Sequence, residues 1–543
     1  MRGSNIESSP KFSSKQIWQN NKRHRCSQGR FYKFRKDYKV KRFLLYIHMV
    51  LMCIVVFGCS TQIPTLDETA TQAHIPQKFS NLTPSLQNTS QKDLSALQSD
   101  YAKLEEQPFS LQQFMTLIDD KSLHKILSIA LEKNTNVLTM ISRIKQAKSQ
   151  VKINTASIFP TINAGINSSY IDNRTLSQST VVRPGANSIN ANVSMSWELD
   201  LFGKLNALRQ SSKKDYAQAQ SNLAFAQISL IAEVATLYFT LRDNANALMQ
   251  AQSTLRNLEQ IEAINADKFQ LGLIDISTYQ TFITSTTTQK NTYETLRYTF
   301  EQNKNALLVL LNINVDELAQ SIDFLDSKTY TFPHIATFYV DKMPSDILLS
   351  RPDIQASLYA LHSQLYKQTN AKAARLPTIS LSGSIGEVLY STNGAGSIVF
   401  QLANSITAPL LNRTALKQNY LIQQELSKEA FYTLQNNVNT ALSEVENALF
   451  DIESKKRQVQ NTQGAYEVGV KTYESNAAKN MRGLLDRNDF LTTENTYLSL
   501  QTQLFTAKAN EMISLVTLFK ALGGNLALAD SKLDSKNTSS QGQ

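Results

Sequence analysis

The sequence predicts a mainly helical protein with a smaller β part, built from two copies of one unit. Three observations carry this. Neither glycine nor proline occurs from Lys204 to Leu271, and no proline lies between Pro184 and Pro333 or after Pro409. These residues are the strongest punctuators of local structure, so their absence permits helices far longer than the usual three or four turns. Second, from Ser188 to Leu199 every odd position is apolar or small and every even one is polar, the period of a two-faced strand. Third, the chain repeats itself. At an offset of 211, Glu233-Val234 meets Glu444-Val445, Gly272-Leu273 meets Gly483-Leu484, Leu311 meets Leu522 and Asn314 meets Asn525. At an offset of 217, Ala156 meets Ala373 and Pro160-Thr161-Ile162 meets Pro377-Thr378-Ile379. Such a repeat decides the architecture, because each unit must fold alike.

Each unit reads helix, strand, strand, long helix, turn, helix. Strands are expected at 158–170, 188–199, 376–388 and 397–408, and long helices at 204–271, 275–311, 413–482 and 486–522. The first long helix would measure roughly 100 Å at 1.5 Å per residue. Leu223, Ala226, Leu230, Val234, Leu237 and Leu241 form its apolar spacing. Gly272 marks the reversal into the second helix. Each strand pair brackets a polar, Gly-containing loop, at 173–187 and 390–396.

Strands of this length match a tilted transmembrane strand, and their alternation fits a barrel wall with lipid on one side and water on the other. The same period fits a soluble antiparallel sheet packed on one face. If the strands cross a membrane, four cannot close a barrel, because bacterial barrels start at eight and lipid tolerates no open edge. The chain would then have to associate with itself, two copies supplying eight strands or three supplying twelve.

A net charge of +10 suggests a nucleic-acid partner, but its distribution argues against one. Residues 1–58 carry 13 Lys+Arg and two acids, a net +11, which leaves −1 for the rest of the chain. This basic segment reads as a signal. Lys39, Lys41 and Arg42 precede an apolar run over 43–58, short for a membrane span and right for a signal peptide. An uncleaved anchor helix is the other reading. The first 38 residues are long for a basic leader, and a start nearer Val40 or Leu44 would give an ordinary one. Cys26 and Cys53 belong to this segment, so Cys59 alone would remain and no disulfide or cysteine metal cluster is expected. Pro64, Pro76, Pro84 and Pro108 among polar residues predict a tether. The expected division is a signal segment at 1–58, a tether at 59–110, repeats at 111–330 and 331–526, and a polar tail at 527–543.

The segments Ser196-Trp197-Glu198-Leu199-Asp200-Leu201-Phe202-Gly203-Lys204, Ser345-Asp346-Ile347-Leu348-Leu349-Ser350-Arg351-Pro352-Asp353-Ile354, Leu376-Pro377-Thr378-Ile379-Ser380-Leu381-Ser382-Gly383 and Leu518-Phe519-Lys520-Ala521-Leu522-Gly523-Gly524 occur in that order. They resemble the motifs of the outer membrane factor family of efflux systems, the TolC/OprM type, in its lipoprotein (NodT-like) subgroup. Val56-Phe57-Gly58-Cys59 resembles the lipobox of bacterial lipoproteins, with Ser60 favouring export to the outer membrane. The resemblance covers about 111–526. It implies a homotrimer with one twelve-stranded barrel in outer membrane lipid, continued by twelve helices as a periplasmic tunnel. It also implies lipidation of Cys59, a periplasmic adaptor (membrane fusion) protein and an inner-membrane pump of the resistance-nodulation-division type. Exported drugs or other small solutes would pass through a passive duct.

Residues carried over from the family follow the matching motifs. Trp197, Gly203 and Pro409 would mark the joints between barrel and tunnel. Leu271-Gly272-Leu273 and Arg482-Gly483-Leu484 would form helical tips that dock the adaptor. Glu467, Lys471 and Glu474, at i, i+4 and i+7, are candidates for a charged periplasmic gate; a solvated helix face explains the same spacing. The second joint, Pro409-Leu410-Leu411-Asn412-Arg413, departs from the family in lacking its glycine. No metalloprotease, P-loop, nucleophile-elbow or dinucleotide motif is present, so no enzyme, cofactor or metal is expected. Two other functions fit: a type I protein-secretion duct, and a periplasmic coiled-coil lipoprotein with no pore.

Overall fold

A computed structural model of the 543-residue chain describes residues 118–171, 186–322, 350–391, 398–409 and 412–524, with single positions or pairs at 332, 338–339, 348 and 527–528. The expected signal segment, the whole expected tether with Cys59, most of the expected loops at 173–187 and 390–396, and all of the expected tail but 527–528 lie outside the described residues.

The first repeat runs α1 (Lys121–Lys133), α2 (Thr135–Ala156), β1 (Thr161–Ile171), β2 (Ala186–Leu199), α3 (Lys204–Gln270), α4 (Ile276–Leu311) and α5 (Val315–Ala319). The second runs β3 (Phe338–Tyr339), α6 (Pro352–Ala373), β4 (Thr378–Ser391), β5 (Ile398–Thr407), α7 (Arg413–Met481) and α8 (Arg487–Ala521), and a short β6 (Ala527–Leu528) pairs with β3. Strands β1 and β4 start later than the alternation predicts. The preceding helices wind on: Phe159 N–H donates to the Ala156 carbonyl at 3.0 Å and Leu376 N–H to that of Ala373 at 2.9 Å. Pro160 and Pro377, which have no N–H to donate, then release the chain into extended geometry.

The helices lie in a row. Helix α3 packs against α2, α4, α6 and α8, and α7 packs against α6 and α8. Near the strands the order is therefore α2–α3–α6–α7, and toward the hairpin tips it is α4–α3–α8–α7. Helices α2 and α4 form one edge and α7 the other. The main core sits where most of these elements converge. Ile126 and Leu127 of α1, Val234 and Phe239 of α3, Leu307 of α4, Val445 and Leu449 of α7 and Leu515 and Phe519 of α8 are all fully buried there. Helix α3 has a stretch long and apolar enough to cross a membrane. Its Ile228, Ile231, Val234, Tyr238 and Leu241 are packed in this core, so protein rather than lipid accounts for that apolarity.

The four long strands form one antiparallel sheet in the order β1-β2-β4-β5. Register puts Ile162 opposite Met195, Val193 opposite Ile385 and Ile385 opposite Phe400, so apolar side chains share one face. Asn163 opposite Ser194 and Ser384 opposite Gln401 make the other face polar. The apolar face is bare: Ile166 is 74% exposed, Phe400 73% and Ile406 73%. Among the described residues, the outer edges of β1 and β5 pair with nothing.

Candidate functional site: joints, tips and the repeat locks

At the first joint the chain passes from β2 into α3 through Gly203, whose φ of 72° and ψ of 18° lie in the left-handed region open to glycine. The helix is capped from three residues further back. Asp200 accepts the N–H of Leu205 at 3.0 Å and that of Asn206 at 2.7 Å, satisfying two donors that the helix itself cannot. Trp197 donates its indole N–H to the Ile158 carbonyl at 2.8 Å, tying β2 to the entry of β1. Glu198 pairs with Lys204, and Asn370 of α6 donates to the Lys204 carbonyl at 2.8 Å. Sequence reasoning singled out Trp197 and Gly203 and missed Asp200. An acid just ahead of a long helix was the available signal.

The second joint is built differently. Pro409 lies two residues beyond β5, half-buried, and Asn412 precedes α7 with φ −93° and no side-chain cap. Asn412, the described residue that precedes α7, is not left-handed, in contrast to Gly203 before α3.

Both tips close the same way. Gly272 N–H donates to the Phe269 carbonyl and Leu273 N–H to that of Lys268, each at 2.9 Å. Gly483 N–H donates to Asn480 at 3.0 Å and Leu484 N–H to Lys479 at 2.9 Å. This is the paired closure of a helix whose C′ residue is left-handed, and the two glycines have φ of 70° and 71°. Asp275 and Asp486 then cap the returning helices. The turns present large apolar side chains outward, Leu271 at 74% exposure, Leu273 at 68% and Leu484 at 73%, with the exposed Arg482 beside Leu484 on the second tip. Met481, at 88%, belongs to the same surface and had not been picked out from sequence. Lys268 reaches Asp486 at 3.3 Å and Arg487 donates to Gln260 at 2.9 Å, so the tips are held together by polar contacts.

Glu467, Lys471 and Glu474 lie on the exposed face of α7. Gln463 donates to Glu467 at 3.0 Å. The flank beside this face carries Tyr466 and Tyr473, which meet Tyr497 of α8; the rings of Tyr473 and Tyr497 stack at 4.8 Å. Burial and the Tyr466 hydroxyl push the Tyr497 phenol up to about 12, with a smaller contribution from the Glu474 charge. Among the described residues no group of three or more His, Cys, Asp or Glu could hold a metal ion.

Two sequence motifs turn out to be halves of one contact. Arg351, 3% exposed, donates twice to Asp353 at 3.0 and 2.7 Å, once to Glu444 at 2.7 Å and once to the Ala521 carbonyl at 2.8 Å. A cation on the closing carbonyls of α8 is well placed, because a helix C-terminus is negative. Gly523 lies against it with φ of 68°.

A family model described as "Outer membrane efflux protein" matches residues 126–312 and 343–524, one block in each repeat. The "Probable efflux pump outer membrane protein TtgC" of Pseudomonas putida is 24% identical over 431 residues, covering 76% of this chain and 85% of its own length. The outer membrane protein OprJ of Pseudomonas aeruginosa is 24% identical over 425 residues, covering 75% and 85%. Among solved structures, the Campylobacter jejuni CmeC outer membrane channel aligns with a TM-score of 0.70 at 21% identity, over 89% of this chain and 98% of that one. The open state of the Neisseria gonorrhoeae MtrE channel aligns with a TM-score of 0.65 at 23% identity, over 86% and 97%. The channels share the fold of this chain, and with both repeats matched by the family model the chain belongs to the outer membrane efflux protein family.

Proposed function

We propose that three copies of the chain form a passive duct across the outer membrane, through which drugs or other small solutes pass from an inner-membrane pump to the exterior. The observation that carries this is the sheet: four strands, antiparallel throughout, with two unpaired edges and one bare apolar face. Strand β5 runs opposite to β1, so β5 of one copy continues the ladder onto β1 of the next with the alternation intact. Closure removes the edges that lipid would not tolerate, and the polar face then lines the lumen. The helix row has its own two edges, α2/α4 and α7, which would close in the same ring. In this reading the apolar tips, Leu271, Leu273, Leu484 and Met481, dock a periplasmic adaptor, and the pump is of the resistance-nodulation-division type. Glu467, Lys471 and Glu474 face the narrow end, and acylated Cys59 anchors the N-terminus in the inner leaflet. A protein-secretion duct would use the same assembly and differ in its pump.

The test is the mass of the purified protein in detergent together with its conductance in planar bilayers. A trimer with discrete conductance steps is expected. A monomer without conductance and with a purely helical circular dichroism spectrum would leave only a periplasmic spacer. In the conducting protein, Glu474→Ala is expected to lower cation selectivity; unchanged selectivity would remove that residue from the gate.

A further inference from the structure

The internal repeat gives each contact within the chain a counterpart, and some counterparts have no partner in a single copy. At the offset of 211, Ser211, Phe239 and Asn257 of α3 correspond to Ile422, Phe450 and Val468 of α7. The three on α3 are buried; Ser211 meets Ser363 of α6 and Asn257 meets Asn495 of α8. Their counterparts on α7 are all large and apolar, yet they are 56%, 58% and 66% exposed. The repeat equivalents of α6 and α8 are α2 and α4, which lie on the opposite edge of the row. The open face of α7 therefore fits the α2/α4 edge of a second copy.

At the tips this correspondence reaches a charged pair. Lys268 of α3 pairs not with Asp275, the cap of its own hairpin, but with Asp486, the cap of the other hairpin. The counterparts of Lys268 and Asp486 are Lys479 and Asp275. Their backbones match. The carbonyls of Lys268 and Lys479 each accept a tip-closing N–H at 2.9 Å, and Asp275 and Asp486 each precede a returning helix in extended geometry and accept one of its N–H groups. Lys479 and Asp275 are exposed, and no described residue forms an ion pair with either.

We propose that Lys479 of each copy forms an ion pair with Asp275 of the next, so that lysine–aspartate pairs within chains and between chains alternate around the tips. The inference rests on the reading that the copies close a ring. An exposed ion pair adds little stability. Its effect is on register: sliding α4 of the next copy by one helical turn, roughly 5.4 Å, would carry Asp275 away from Lys479.

Treating the full chain in detergent with a water-soluble carbodiimide tests this, because the reagent joins an amine to a carboxylate only where the two are in contact. Chains are separated on a denaturing gel and linked peptides identified by mass spectrometry. The Lys268–Asp486 link should form within one chain and serves as the internal standard. A Lys479–Asp275 link should be found in the bands of joined chains and be absent from the single-chain band. Lys479→Gln, or Asp275→Asn, which keeps the helix cap, should abolish that link and leave the standard. A trimer by mass that yields the standard without the Lys479–Asp275 link, or that yields this link within a single chain, would overturn the pair alone. A protein that yields the standard but is a monomer by mass would overturn the ring on which the pair rests.

Discussion

The two repeats close the same corner with different chemistry. Asn134 and Arg351 are equivalent at the offset of 217, as Leu310 and Ala521 are at 211. Both Asn134 and Arg351 stand at the N-terminus of a helix, with φ of −63° and ψ of 125° and 130°. Each donates to the carbonyl at its equivalent place near the end of the long hairpin, Leu310 or Ala521, at 2.8 Å. Asn134 also accepts the N–H groups of Asn136 and Val137, so one neutral side chain caps α2 and ties it to α4. Arginine has no acceptor. In the second repeat Asp353 therefore supplies the acid in the first turn of α6, and Glu444 of α7 completes the neutralisation of the buried guanidinium. The residue that ends each hairpin differs too. Asn312 holds φ of 53° and donates to the Lys133 carbonyl at 3.3 Å, whereas Gly523 must be small, because a Cβ there would lie 2.9 Å from the Arg351 side chain. The repeats preserve backbone geometry and the direction of one hydrogen bond; the charge is dispensable to the corner as such.

The largest break in this comparison should come from Arg351→Ala. It strands Asp353 and Glu444 and frees the Ala521 carbonyl, and removing one partner of a buried ion pair costs roughly 3–5 kcal/mol. The lower end is expected, because the Glu444 side chain is 51% exposed. Asn134→Ala should cost less, roughly 1–2 kcal/mol, the loss of a cap and one hydrogen bond. Denaturant unfolding of both variants in detergent checks the order; equal losses would mean that the charged lock holds no more than the neutral one. Next comes Gly523→Ala, expected to cost about 1–2 kcal/mol from the left-handed backbone alone and more from the arginine contact. Asn312→Gly, which faces no such neighbour, should change stability by only a few tenths of a kcal/mol, and a cost as large as that of Gly523→Ala would show that the two corners are equally tight.

The joints provide the smallest contrast. Asp200→Ala should destabilise the start of α3 by about 1 kcal/mol, while Asn412→Ala, which removes no side-chain cap, should be close to neutral. Hydrogen exchange in the first turns of α3 and α7 reads this directly. Faster exchange at α7 than at α3 in the wild type, a difference lost in Asp200→Ala, is the expected pattern.

Much of this architecture was legible in the amino-acid order because its causes are local. The absence of glycine and proline from Lys204 to Leu271 set the length of α3, and the tips follow from Gly272 and Gly483. Strand faces follow from a period of two, since neighbouring side chains must point to opposite sides of a pleat. The starts of β1 and β4 differ from the alternation because the helix winds on into residues that alternate like a strand, and β4 runs on to Ser391, beyond the expected 388. The tertiary structure decided what joins distant segments. Nothing near Arg351 announces that its partner carbonyl is 170 residues away, and nothing near Gly523 announces the arginine that forbids a side chain there. Alternation could place Glu387 among apolar neighbours, but only the strand order β1-β2-β4-β5 set it opposite Ala191 and Ile398. A turn, a cap or a period is settled by a handful of adjacent residues, whereas a contact across the chain is settled by the packing of whole elements.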